Sequence, residues 1–201
     1  MITKGEIEMS KEQKNFLAKI IRGVAIPPTF VAILSVLMYF LCPAAFRHVG
    51  DLIAVITALA VVPALAYPLA KVLPGFKEKG RKGSRSLAFI TSAVGYTGGM
   101  IYAFASGATD DLKFIFGGYM LALVALLVLN KVFKVKASGH ACGIFGPLLY
   151  AVYFLGILWI IPCVITAALV VWASVYRKSH TPKELALGAL CACVGFFVGL
   201  L

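Results

Sequence analysis

Charge is what this sequence is short of. Only 13% of its 201 residues are Asp, Glu, Lys or Arg, and acidic side chains number 8. Soluble globular domains carry about a quarter charged residues, so an ordinary soluble enzyme is excluded. Disordered chains are rich in charge and poor in apolar residues, whereas 61% of this chain is hydrophobic. Cysteine is also sparse. Cys42, Cys142, Cys163, Cys191 and Cys193 are odd in number and lack the spacing of a zinc site or a disulfide scaffold. All five fall in or at the ends of apolar runs, where a free thiol acts as a small hydrophobe. There is no internal repeat. A last absence concerns the apolar runs themselves: none has Asp, Glu, Lys, Arg or His at its middle. Pumps and coupled transporters need such groups within the membrane. Any chemistry therefore belongs at a membrane face.

What is present is a series of uncharged stretches at 23–46, 52–70, 86–106, 114–130, 141–176 and 185–201. One helical crossing takes about 20 apolar residues. The fifth stretch has 36 residues, about 54 Å of helix at about 1.5 Å per residue, against a hydrocarbon core of about 30 Å. It is expected to fold back near Gly156. The expected fold is all-α: a polytopic transmembrane helical bundle of seven spans. Residues 23–201 form one domain, preceded by an amphipathic segment over 1–22. In that segment Ser10-Lys11-Glu12-Gln13 reads as a capping box. Phe16, Leu17, Ile20 and Ile21 follow on one face, giving either an interfacial helix on the membrane surface or a frayed tail. Gly95 and Gly99, and Gly195 and Gly199, form G-x-x-x-G pairs that let helices approach closely. Pro27, Pro28, Pro63, Pro68 and Pro162 are expected to kink or end helices.

The formal net charge is +11, and the cations are unevenly placed. With seven spans, 17 of the 19 Lys and Arg lie on one side: in the N-terminal segment and in the loops that follow spans 2, 4 and 6. Arg47 and Lys113 lie on the other. The positive-inside rule puts the basic side, with the N-terminus, in the cytoplasm and the C-terminus on the opposite face. Two of the three histidines are on the basic side. His140 precedes the fifth span in Lys136-Ala137-Ser138-Gly139-His140-Ala141, and His180 lies between the sixth and seventh in Arg177-Lys178-Ser179-His180-Thr181-Pro182. A lone histidine at a helix end is ordinarily a solvated side chain. Two on one face, each among cations, point to a site for anionic groups.

Ser138-Gly139-His140-Ala141 resembles the second motif, P-S-G-H-A, of the type 2 phosphatidic acid phosphatase superfamily. Ala173 to Glu184 resembles its third, S-R-x-x-x-x-x-H-x-x-x-D, and Leu185-Ala186-Leu187-Gly188-Ala189 is similar to the helix that follows it. The resemblance covers residues 130–201. It implies a phosphatase core in which His180 attacks phosphorus and becomes a phosphohistidine. By the same resemblance Glu184 holds the ring tautomer and His140 protonates the leaving oxygen. Ser138 and the backbone around Gly139 would cradle phosphate, with Lys136, Arg177, Arg81 and Arg85 as cationic ligands. The substrate implied is a lipid phosphate or diphosphate of the phosphatidate or isoprenyl class. The partners are that lipid and the bilayer, with no nucleic acid, cofactor or metal.

Departures from the pattern are specific. Ser174 stands where the third motif has arginine, six residues before His180. Arg177 either supplies that guanidinium from a shifted place or is a solvated loop cation. Glu184 replaces aspartate, and Ala137 replaces the proline before the serine. The first motif, K-x-x-x-x-x-x-R-P, is absent; the nearest candidate is the basic segment from Lys77 to Arg85, which a topology signal also explains. These departures keep two alternatives open: a catalytically impaired relative that binds anionic head groups, and an unrelated membrane scaffold or transport protein.

Overall fold

The capping box is in place: Ser10 Oγ accepts from the backbone N–H of Gln13 at 3.2 Å, and Gln13 Oε1 accepts from the N–H of Ser10 at 2.8 Å. It opens helix α1, Lys11–Val24, in a computed structural model that describes residues 10–201. The rest of the expected N-terminal segment lies outside the described residues. Helix α2, Pro27–Leu41, follows after a bend of 60°. Two consecutive prolines explain the break. Residues ahead of a proline are pushed out of the helical region, whereas proline itself suits the first helical turn.

Six more long helices complete the chain: α3 (Val49–Val72), α4 (Gly80–Ala105), α5 (Asp110–Val132), α6 (Gly139–Leu155), α7 (Ile157–Tyr176) and α8 (Pro182–Gly199). There is no strand among the described residues, so the all-α class is as expected. Gly156 ends α6 at φ +98°, a conformation open to glycine, and the expected fold-back occurs there. A π-helical turn, Thr57–Val61, precedes Pro63 in α3 and carries that helix through its proline.

Helices α3, α4, α5, α7 and α8 are long and apolar enough to cross a membrane, with 24, 26, 23, 20 and 18 residues. The bent pair α1 and α2 makes a sixth candidate. Two of the seven expected spans yield shorter helices. Only 15 residues of the first are helical in α2, because Pro27 and Pro43 bound it, and α6 has 17. In the other direction, α4 begins at Gly80, six residues before its apolar stretch. Lys79, Arg81, Lys82 and Arg85 were expected in a loop; from Gly80 onward the segment is helical.

Helices α5, α6 and α8 form the centre. Phe116, Tyr119, Tyr150 and Phe196 are buried there. Gly195 lets α8 meet α5: a Cβ at that position would stand 2.3 Å from the Gly118 carbonyl oxygen. Gly95 likewise faces the Ala58 carbonyl oxygen, at 2.2 Å from a Cβ placed there. The close helix contacts expected of both G-x-x-x-G pairs are present. Large apolar side chains such as Val94, Ile101, Phe104, Leu158, Ile161 and Val164 are exposed around the outside. A soluble monomer does not expose apolar surface so continuously; a multi-pass membrane protein does. All five cysteines are free thiols.

The two ends of the bundle differ in charge. At one end Arg47 pairs with the buried Asp51 at 2.6 Å and donates to Ser106, and Lys113 pairs with Asp110 at 2.8 Å. Thr109 Oγ1 donates to the Ala45 carbonyl at 2.6 Å, tying the two loops of that end together. At the other end Arg22, Arg81, Lys82, Arg85, Lys136 and Lys178 converge on one cavity.

Candidate active site

The site is assembled from two helix N-termini locked together. Ser138 is the N-cap of α6, its Oγ accepting from the N–H of Ala141 at 3.2 Å. Thr181 is the N-cap of α8, its Oγ1 accepting from the N–H of Glu184 at 3.2 Å, with Pro182 at the first helical position. The N–H of Ser138 donates to the carbonyl of Glu184 at 2.9 Å. Gly188 makes this approach possible, because a Cβ there would lie 2.2 Å from the Ser138 carbonyl oxygen. Sequence separates the two histidine motifs by two helices; packing brings their backbones into hydrogen bonding.

His180, on the last turn before α8, pairs through Nδ1 with Glu184 Oε2 at 2.9 Å. With Glu184 ionised, Nδ1 carries the proton and Nε2 keeps its lone pair. The second carboxylate oxygen, Oε1, takes Lys136 Nζ at 2.5 Å. Burial pushes the His180 imidazole below its ordinary value, opposed by the hydrogen bond and charge of Glu184. The ring is thus biased toward the neutral form near neutral pH, as a nucleophile requires. His140, second residue of α6, lines the same cavity, and its Nε2 is buried without a hydrogen-bond partner among the described residues. Burial, and then the charges of Arg22 and His180, push its imidazole down to about 4.

The cavity between these groups has a volume of about 740 Å³. Its mouth is cationic, and its interior is walled by Val31, Leu59, Leu123, Leu126, Tyr119 and Phe196. Of the anticipated phosphate ligands, Lys136, Gly139, Arg81 and Arg85 line it. Arg81 and Arg85 are four residues apart on α4 and so share one face. Ser138 and Arg177 do not line it. Ser138 is fully buried and occupied as a cap. Arg177 is exposed at the end of α7, and the next residue, Lys178 at φ +50°, reaches the cavity instead.

Three contributors escaped the sequence reading. Arg22, on the last turn of α1, lines the cavity and donates from Nη1 to Ser179 Oγ. Lys82 also lines it. Asn130 sits behind the site: its amide donates to the carbonyls of Leu126 and Ala137 at 2.9 and 3.3 Å, and its Oδ1 accepts from the N–H of Ala137 at 3.2 Å. It fixes the irregular segment leading to Ser138 against the end of α5. The one signal for Asn130 was an amide at the end of an apolar run. No group of three or more His, Cys, Asp or Glu gathers to hold a metal among the described residues.

The arrangement offers a neutral imidazole with an oriented lone pair, a second imidazole across the mouth, a cationic rim and an apolar interior. No family model, no curated protein and no solved structure matches the chain.

Proposed function

We propose that the protein is a membrane lipid phosphatase that hydrolyses a phosphate or diphosphate monoester through a phosphohistidine. The observation that carries this reading is the His180–Glu184 pair sharing one cationic-mouthed, apolar-lined cavity with His140. His180 Nε2 attacks the terminal phosphorus as its P–O bond to the leaving group breaks, an ester bond in a monophosphate and an anhydride bond in a diphosphate. His140, held neutral by burial, takes up a proton with the anionic substrate and passes it to the leaving oxygen. Water then attacks phosphorus as the N–P bond breaks, gives a proton back to His140 and releases inorganic phosphate and free His180. Cations at the mouth neutralise the phosphoryl oxygens as charge redistributes. The lipid tail lies in the apolar interior. In this reading α2 and α6 also cross the membrane, giving seven spans, and the positive-inside rule turns the cationic mouth to the cytoplasm.

Phosphate release by the detergent-purified protein tests the reading. The substrates are diacylglycerol phosphate, isoprenyl phosphate and isoprenyl diphosphate, with a chelator present. Wild type is expected to release phosphate and His180→Ala to be inactive. Equal turnover by His180→Ala would falsify the phosphohistidine step.

One observation favours a second reading. Ser174 is fully buried and its Oγ has no partner among the described residues, so the motif's arginine is missing from that place. A protein that binds the anionic head group without cleaving it would show retained lipid phosphate binding and no release in wild type and mutant alike.

A further inference from the structure

Helix α1 is not merely laid on the surface. Ala18 is 0% exposed, and α1 packs along α7. One turn beyond Ala18, this docking delivers Arg22 to the mouth of the cavity. Its Nη1 donates to the hydroxyl of Ser179, the residue before His180. Its Nε is buried and has no acceptor among the described residues. A buried, unsatisfied donor is costly, more so on a charged group. The charges that reach Arg22 are cationic, Arg177 and Arg81. Other basic groups of the molecule have found anions: Lys136 has Glu184, Arg47 has Asp51 and Lys113 has Asp110. Arg22 has none among the described residues, yet it is held in place beside both histidines.

We propose that Arg22 binds the phosphoryl oxygens of the substrate, supplying from α1 the guanidinium that Ser174 does not. The assignment rests on the phosphatase reading of the site. The N–H of Ser179 donates to the carbonyl of Ser174 at 3.0 Å. The hydroxyl that anchors Arg22 is therefore tied to the very turn of α7 where the motif's arginine would begin. A planar guanidinium suits this task because it offers paired donors to a tetrahedral oxyanion. Arg177 is excluded by position, being exposed and outside the cavity lining. The N-terminal helix thereby becomes part of the active site.

Orthovanadate binding to the full-length protein in detergent tests this directly, since the probe needs no knowledge of the lipid. Arg22→Gln keeps part of the stem and a polar amide but loses the charge. It is expected to weaken orthovanadate binding roughly 10- to 100-fold, as loss of a charge-assisted hydrogen bond does, with an unchanged melting temperature. Arg22→Lys is expected to recover part of the loss. Wild-type affinity in Arg22→Gln would overturn the assignment. So would equal losses in both variants accompanied by a lowered melting temperature, which would make Arg22 a docking residue only. Failure of the wild type to bind orthovanadate would overturn it together with the site. Full lipid phosphate turnover by His180→Ala would instead end the phosphohistidine reading of the site while leaving a binding defect in Arg22→Gln standing.

Discussion

Glu184 accepts from His180 Nδ1 through one oxygen and from Lys136 Nζ through the other. Its backbone carbonyl accepts from Ser138. Replacement by glutamine keeps the size and removes the charge. Burial lowers the His180 pKa and Glu184 raises it, so the imidazole in Glu184→Gln falls further below its ordinary value. In the proposed reaction, the acid limb of kcat/KM, where His180 is lost to protonation, is expected to move to lower pH. The plateau is expected to drop roughly 100- to 10,000-fold as the tautomer is no longer enforced. A pH–rate profile reads both. An unmoved limb would show that Glu184 does not act on His180. Asn130 makes a different kind of contribution. It satisfies both backbone groups of the fully buried Ala137. Asn130→Ala leaves them unpaired, and about 1–3 kcal/mol of stability is expected to be lost, measurable as a lowered melting temperature in detergent.

At the scale of elements, the site depends on how closely α8 rides over the start of α6. Gly188→Ala would push a methyl group toward the Ser138 carbonyl, 2.2 Å away, and toward Ala141 Cβ at 2.9 Å. Backbone cannot retreat as a flexible side chain does, so the helices must separate. The expected cost is about 1–3 kcal/mol, typical of overpacking, with a loss of activity larger than the loss of folded protein. Wild-type turnover in Gly188→Ala would mean that the two motifs need not be held at this distance. What sequence could foresee divides along the same line. The capping box at Ser10 and the turn at Gly156 are local chemistry and were legible, and the pairing of His180 with Glu184 followed from the family resemblance; the cap at Thr181 was not read. The start of α4 was not, because charge was taken to end a helix. There the helix runs on into the charged interface and carries Arg81 and Arg85 on one face. Arg22 was still less visible: 157 residues separate it from Ser179, and only the packing of α1 on α7 brings them together.

For the whole molecule, the governing fact is that polarity runs along the bundle and through its interior together. Arg47 with Asp51, and Lys113 with Asp110, are paired off at one end, whereas the cations at the other end open onto a single cavity. That cavity passes from His140 and His180 to Tyr119, Tyr150 and Phe196, with α5, α6 and α8 on one side and α2, α3 and α4 on the other. A ligand that fills it must be anionic at the mouth and apolar beyond it, which describes a lipid phosphate better than a free sugar phosphate or inorganic phosphate. Gly146 allows the tail end to be tested apart from the head. It lines the cavity, and outside its own helix a Cβ there meets nothing closer than the Tyr119 ring and hydroxyl at 4.0 Å. A larger side chain therefore grows into the cavity rather than into backbone. Gly146→Leu is expected to fold and to bind orthovanadate as wild type does. Its KM for a long-chain lipid phosphate should rise roughly 10-fold or more, the price of losing about two methylene contacts' worth of apolar burial. A short-chain phosphate should be turned over unchanged. If Gly146→Leu left the long-chain KM unaltered, the tail would have to lie outside the bundle, along the lipid-facing surface, and the interior of the cavity would need another occupant.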